Sequence, residues 1–107
     1  MKRKKAARRR SANHAKRPVY AMKLYVTGAT PRSSRAINNL RRLCEEHLPG
    51  QYELEVIDVY QQPALAREGQ IVAIPTLVKT MPMPLRKFIG DMSDTGNLLA
   101  GLEVNSG

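Results

Sequence analysis

The chain has no tryptophan, one phenylalanine, one cysteine and two histidines. A lone cysteine, Cys44, excludes an intramolecular disulfide and every multi-cysteine zinc or iron–sulfur arrangement, and it fits a reducing cytoplasm. His14 and His47 are too isolated for a metal site, so neither metal nor cofactor is expected. No apolar run approaches the ~20 residues of a membrane span. The basic N-terminus leads into Asn13, His14, Ala15, Lys16 and Arg17 rather than an apolar signal core, so neither export nor a membrane partner is expected.

Acids are missing from residues 1 to 17, which carry Lys2, Arg3, Lys4, Lys5, Arg8, Arg9, Arg10, Lys16 and Arg17. The whole chain holds 18 Lys plus Arg against 9 Asp plus Glu and a formal charge of +9, so residues 18 to 107 are neutral and the basic balance belongs to the tail. Such a segment lacks the apolar side chains of a core, and residues 1 to 17 are expected to be a disordered basic tail. A nucleic-acid-binding domain would carry its basic face on folded surface, so nucleic acid is expected through the tail only. At 107 residues the chain is one domain, and residues 18 to 107 form a body able to fold without staples.

From Tyr20 the pattern changes. AMKLYVTG reads as a strand stopped by Gly28, and Thr30-Pro31 as a helix start, with an N-cap hydroxyl before a proline whose missing N–H is harmless there. Ala36, Ile37, Leu40, Leu43, Cys44 and Leu48 make one apolar helix face, and Pro49-Gly50 ends it. YELEVIDVY is a second strand whose apolar content suggests burial on both faces. Pro63 opens a short helix, IVAIPTLVK is a third apolar run, and Pro75 in Ile-Pro-Thr is a candidate cis-proline. After MPMP, RKFIG makes a fourth strand. GDMSD is a turn offering Asp91 and Ser93 as N-caps, and NLLAGL is a last helix. This order is that of the thioredoxin-like α/β class, with the first two strands parallel and joined by a right-handed crossover. Pro75, Pro82, Pro84, Gly90 and Gly96 weaken local preference in the second half, whereas residues 20 to 60 are locally consistent.

A thioredoxin-like oxidoreductase keeps its reactive cysteine between the first strand and first helix. Here that place holds Gly-Ala-Thr-Pro-Arg-Ser-Ser, so dithiol exchange is chemically impossible there. No catalytic residue is expected. Cys44 reads as a buried structural thiol, Ser33 and Ser34 as helix-start polarity, and Asp58 as a strand end. The segment lacks the glycine pattern and Lys-Ser/Thr pair of a phosphate loop. Lys79, Arg86 and Lys87 form a basic group on the third and fourth strands, with Lys23 and Arg35 on the first strand and helix, all ordinarily solvated charge.

KLYVTGATPRS, LEVIDVYQQPALA, AIPTLVK and above all PLRKFIGDMSD resemble the KaiB family of circadian-clock proteins over residues 20 to 104. The resemblance implies a non-enzymatic cytoplasmic partner of the hexameric ATPase KaiC. It also implies sequestration of KaiA, displacement of a related sensor-kinase domain, and a homo-oligomeric resting state, tetramer or dimer. It implies two folds for one chain, differing in the second half. Lys23, Arg35, Lys79, Arg86 and Lys87 fall on the family's basic partner-binding positions, and Gly90, Asp91 and Ser93 in the segment that biases the switch. Glu55 and Gln70 stand where lysine is typical, and the basic N-terminal extension is atypical.

Overall fold

The computed structural model describes residues 20–104; the expected disordered tail lies outside the described residues. Seven elements follow in order: β1 (Tyr20–Val26), α1 (Pro31–His47), β2 (Tyr52–Asp58), α2 (Pro63–Glu68), β3 (Thr76–Met81), β4 (Arg86–Ile89) and α3 (Thr95–Leu102). The strands form one sheet in the order β2-β1-β3-β4. β1 and β2 are parallel, while β3 runs antiparallel to both β1 and β4.

Period-two alternation along β1 assigns the two faces. Met22, Leu24 and Val26 join Leu77 of β3 against Ala36, Leu40, Leu43 and Cys44 of α1 and Leu98 and Leu102 of α3. Phe88 of β4 lies over Gly101, so close that a Cβ at residue 101 would collide with the ring. Tyr25, Ile57 and Val78 point the other way, where Leu65 and Ala66 of α2 cover them. The result is the expected thioredoxin-like arrangement.

Two sequence expectations are corrected. β2 is an edge strand, so only Ile57 is fully buried, Val56 is half-buried and Glu53 and Glu55 are exposed. The last helix is capped by neither Asp91 nor Ser93 but by Asp94, whose Oδ1 accepts the Asn97 N–H at 3.1 Å. Pro75 does follow a cis peptide bond, as do Pro82 and Pro84.

Leu40 sits at the centre of the larger core with no exposed surface. Leu40→Ala should therefore lower stability by about 2–5 kcal/mol through lost burial and a residual cavity. Urea unfolding followed by circular dichroism should show the shifted midpoint with an unchanged slope.

Candidate partner-binding surface

Thr30 is extended and its Oγ1 accepts the Ser33 N–H at 3.2 Å, closing the first turn of α1. Ser33 is buried, and its Oγ accepts the Thr27 N–H at 3.1 Å, tying the end of β1 to the helix. That hydroxyl is structural, as expected of helix-start polarity. Arg35 and Asn39, four residues apart on one helix face, reach the segment after β4. Arg35 Nε lies 3.6 Å from Asp91 Oδ2, and Asn39 Nδ2 donates to the Asp91 carbonyl at 3.0 Å. Asp91 Oδ1 accepts the Ser93 N–H at 3.1 Å.

Gly90 completes this arrangement. Its N–H donates to the Pro75 carbonyl at 3.0 Å, and its φ of +124° is a backbone conformation that side-chain-bearing residues rarely adopt. Segment 90–94 is thus held by α1, by the proline turn before β3 and by the start of α3. Arg32, Arg35, Phe88, Asp91, Ser93 and Asn97 border an open groove of about 410 Å³ beside it. Hydrogen bonds from Ser93, and then the Arg35 guanidinium, hold the Asp91 carboxyl below its ordinary value of 3.8.

The five basic residues taken from the resemblance do not form one surface. Arg35 belongs to the groove just described. Lys23 and Lys87 lie on the α2 side, around a second groove of about 320 Å³ that includes Tyr25 and Glu68. Lys87 Nζ donates to the carbonyls of Gly69 and Gln70 at 3.0 and 3.4 Å. Burial, then Glu55 and Glu68, push the Tyr25 phenol above its usual value. The expected Lys79, Arg86 and Lys87 group is split, because Lys79 and Arg86 are register partners and Lys87, the next residue along β4, faces the opposite side. Nor is Lys79 solvated. It is 1% exposed, with Nζ donating to the Pro82 carbonyl at 2.8 Å, so its ammonium fastens the proline turn. Arg86 Nη2 stands 3.5 Å from Glu103 Oε2, an exposed pair of small energetic value.

Asn39, Asp94 and Glu103 were not singled out from the sequence. Asp94 is legible in retrospect as an acid three residues before Asn97 at a helix start. Asn39 carried no signal, since its partner is 52 positions away. Asp58 ends β2, its Oδ1 accepting the Tyr60 N–H at 2.9 Å. Burial, with Glu45 adding, pushes the Cys44 thiol up to about 12, so this thiol is no nucleophile at neutral pH. Among the described residues no group of three His, Cys, Asp or Glu could hold a metal. The arrangement presents charge and shape around a fixed loop.

The KaiB domain family profile matches residues 23–104. The chain is 51% identical over 90 residues to the circadian clock oscillator protein KaiB of Prochlorococcus marinus, covering 84% of this chain and 86% of that one. It is 48% identical over 83 residues to the circadian clock protein KaiB3 of Synechocystis, covering 78% and 81%. Among solved structures, the N-terminal domain of Synechococcus elongatus SasA matches with a TM-score of 0.68 at 22% identity, covering 90% of this chain and 94% of that one. Mitochondrial thioredoxin 3 of Saccharomyces cerevisiae gives 0.64 at 20% identity, covering 78% and 76%. At those identities the two structures establish the fold alone.

Two titrations follow from this geometry. The Asp91 carboxyl, followed by NMR, should titrate below 3.8, and Ser93→Ala, which removes the hydroxyl while keeping the backbone N–H, and Arg35→Ala should each raise it. Since folding lowers this pKa, the loop's support is present above the ordinary carboxylate range and fades as pH falls through the depressed value. Cys44 behaves in the opposite sense. Its folded pKa of about 12 exceeds the ordinary 9.0, so its contribution is full below pH 9 and declines as the pH rises toward 12. Native alkylation at pH 8 should be slow, and Cys44→Ser should flatten the alkaline loss of stability.

Proposed function

The chain belongs to the KaiB family, and from that premise we propose that it is a non-enzymatic circadian-clock regulator that binds a KaiC-type hexameric ATPase at its N-terminal ring. In doing so it modulates that enzyme's phosphorylation and ATPase cycle. The observation that carries this reading is the family match across residues 23–104, nearly the whole described body. The start of α1 and segment 90–94 supply the contact surface. Arg32 and Arg35 offer cations to an acidic partner surface, and the Arg35–Asp91 and Asn39–Asp91 ties hold the loop in place. Lys23, Arg86 and Lys87 extend the contact on neighbouring faces, whereas Lys79 acts from within by fixing the proline turn. In the same assembly it sequesters KaiA and displaces a sensor kinase sharing the SasA-like fold, and the resting state is a homo-oligomer, tetramer or dimer.

Redox chemistry is disfavoured by the sequence itself, because Thr30, Pro31 and Arg32 stand where a thioredoxin needs its thiol. Regulation instead rests on two conformations of the second half. Gly90, Asp91 and Ser93 bias the balance, and the fold described above uses a backbone angle at Gly90 that alanine resists. Gly90→Ala should disfavour this fold by about 1 kcal/mol or more, a roughly fivefold shift in a two-state ratio. Asp91→Ala should act in the same direction by releasing Arg35 and Ser93.

Pull-down of the full chain by a KaiC-type ATPase incubated with ATP or ADP tests the binding directly. Retention that depends on the nucleotide is expected, with slower association for Gly90→Ala and Asp91→Ala and an altered oligomer distribution in sedimentation. No retention with either nucleotide would overturn the assignment, and wild-type association by both variants would remove the switch from it.

A further inference from the structure

Helix α2 is six residues long, too short to roof the whole of the sheet face on which it packs. Leu65 and Ala66 close over Tyr25, Ile57 and Val78, and beside them the face opens as the groove of about 320 Å³. Buried Val78 and partly buried Leu65 meet there with Leu85, which is 50% exposed, so part of its wall is apolar. The Tyr25 phenol is the group that the fold leaves without a task. Its residue is 3% exposed and borders the groove, and among the described residues its hydroxyl makes no hydrogen bond. A buried hydroxyl in that condition carries a desolvation cost that a ligand acceptor would remove. Gly69 gives it room, since a Cβ there would stand 2.9 Å from the hydroxyl oxygen. Lys23 and Lys87 also line the groove, and among the described residues neither enters an ion pair. Lys87 Nζ donates to two carbonyls and so keeps one N–H. The Thr80 hydroxyl is spent on the Ala21 carbonyl. The acids are Glu68 on the lining and Glu55, the register partner of Lys23, just outside it.

We propose that this groove binds a small organic monocarboxylate, whose carboxylate accepts hydrogen bonds from the Tyr25 hydroxyl and the Lys23 and Lys87 ammoniums while its apolar body lies on Leu65, Val78 and Leu85. The phenol calls for an acceptor, because burial and the neighbouring acids keep it protonated at neutral pH. The lining charge calls for a monoanion. Two lysines attract a carboxylate, and Glu68 and Glu55 repel the second charge of a phosphate. The volume calls for a small molecule, being at the lower end of the about 300–1,000 Å³ found for ligand sites. The sheet separates this groove from the one beside Asp91, so the assignment does not rest on the proposed ATPase contact.

Titration of the labelled full chain with 4-phenylbutyrate, followed by amide NMR shifts, tests the proposal. Saturable shifts are expected at Lys23, Tyr25, residues 65–70 and Lys87, at roughly millimolar affinity, the scale set by so few ligand atoms. The alcohol 4-phenylbutan-1-ol and the dianion 3-phenylpropyl phosphate should each bind severalfold more weakly. Tyr25→Phe should weaken the carboxylate about tenfold or more, as loss of a hydrogen bond to a charged group does. Lys87→Gln should weaken it severalfold and Gly69→Ala, whose Cβ must displace the phenol, likewise. Arg41→Gln, which removes an exposed cation on α1, should leave it unchanged. No saturable shift up to roughly ten times the expected concentration overturns the proposal, as do shifts centred on Arg32 and Arg35. Equal binding of the alcohol would make the groove an apolar cleft without anion recognition, and equal loss in Arg41→Gln would make the effect one of net charge; either result overturns it. So does full affinity in a folded Tyr25→Phe variant. If that variant does not fold, Gly69→Ala and Lys87→Gln decide, and full affinity in either overturns the site.

Discussion

Everything in this molecule is hung on the alternation of side chains along β1. The strand pairs with β2 on one side and β3 on the other, so its register decides what each neighbour can bury. Met22, Leu24 and Val26 commit one face to α1 and α3, and Tyr25 commits the other to α2. A slip of one residue would put Lys23 into the main core and Leu24 under α2. The helices inherit their positions from that choice. Because α1 must present Ala36, Leu40, Leu43 and Cys44 to the sheet, Arg35 and Asn39 are directed toward the end of β4, where Asp91 waits.

The tie between α1 and Asp91 is what turns a common fold into a particular surface. In a thioredoxin-like frame the start of α1 and the proline turn before β3 ordinarily enclose a thiol. Here Thr30 caps the helix, Ser33 is used up by the Thr27 N–H, and the Pro75 carbonyl receives the Gly90 N–H. The same frame is spent on holding a loop. A loop held through one glycine angle, one half-exposed ion pair and a few hydrogen bonds is steady enough to be recognised. Under the proposed switch, a change of about 1 kcal/mol in these contacts would alter a two-state ratio roughly fivefold.

Much of the fold was legible in the residues. The N-cap and proline at Thr30-Pro31, the apolar period of α1 and the cis-proline in Ile-Pro-Thr are local signals, and local signals survive folding. The edge position of β2 was not legible, because an apolar strand reads alike at an edge and at a centre until the sheet order is known. Lys79 illustrates the same limit: a lysine in sequence looks solvated, and only the approach of the Pro82 carbonyl makes its burial tolerable. Lys79, Arg86 and Lys87 read as one basic group in the sequence and are divided by strand alternation, since Arg86 and Lys87 must face opposite ways. Asn39 was invisible because its partner is remote in the chain. The cap of α3 was sought at Asp91 or Ser93, three residues and one residue before Asp94, within a turn containing side-chain oxygens at all three positions.

The central claim is that the start of α1 and segment 90–94 form the surface that meets the ATPase ring. Amide chemical shifts of the labelled full chain, recorded during titration with the isolated N-terminal ring of a KaiC-type ATPase, address it most directly. The account predicts that the largest perturbations cluster at residues 30–39 and 89–94, and that Arg35→Ala weakens the interaction. Perturbations confined to the β2 edge or to α2, with residues 30–39 and 89–94 unchanged, would contradict it.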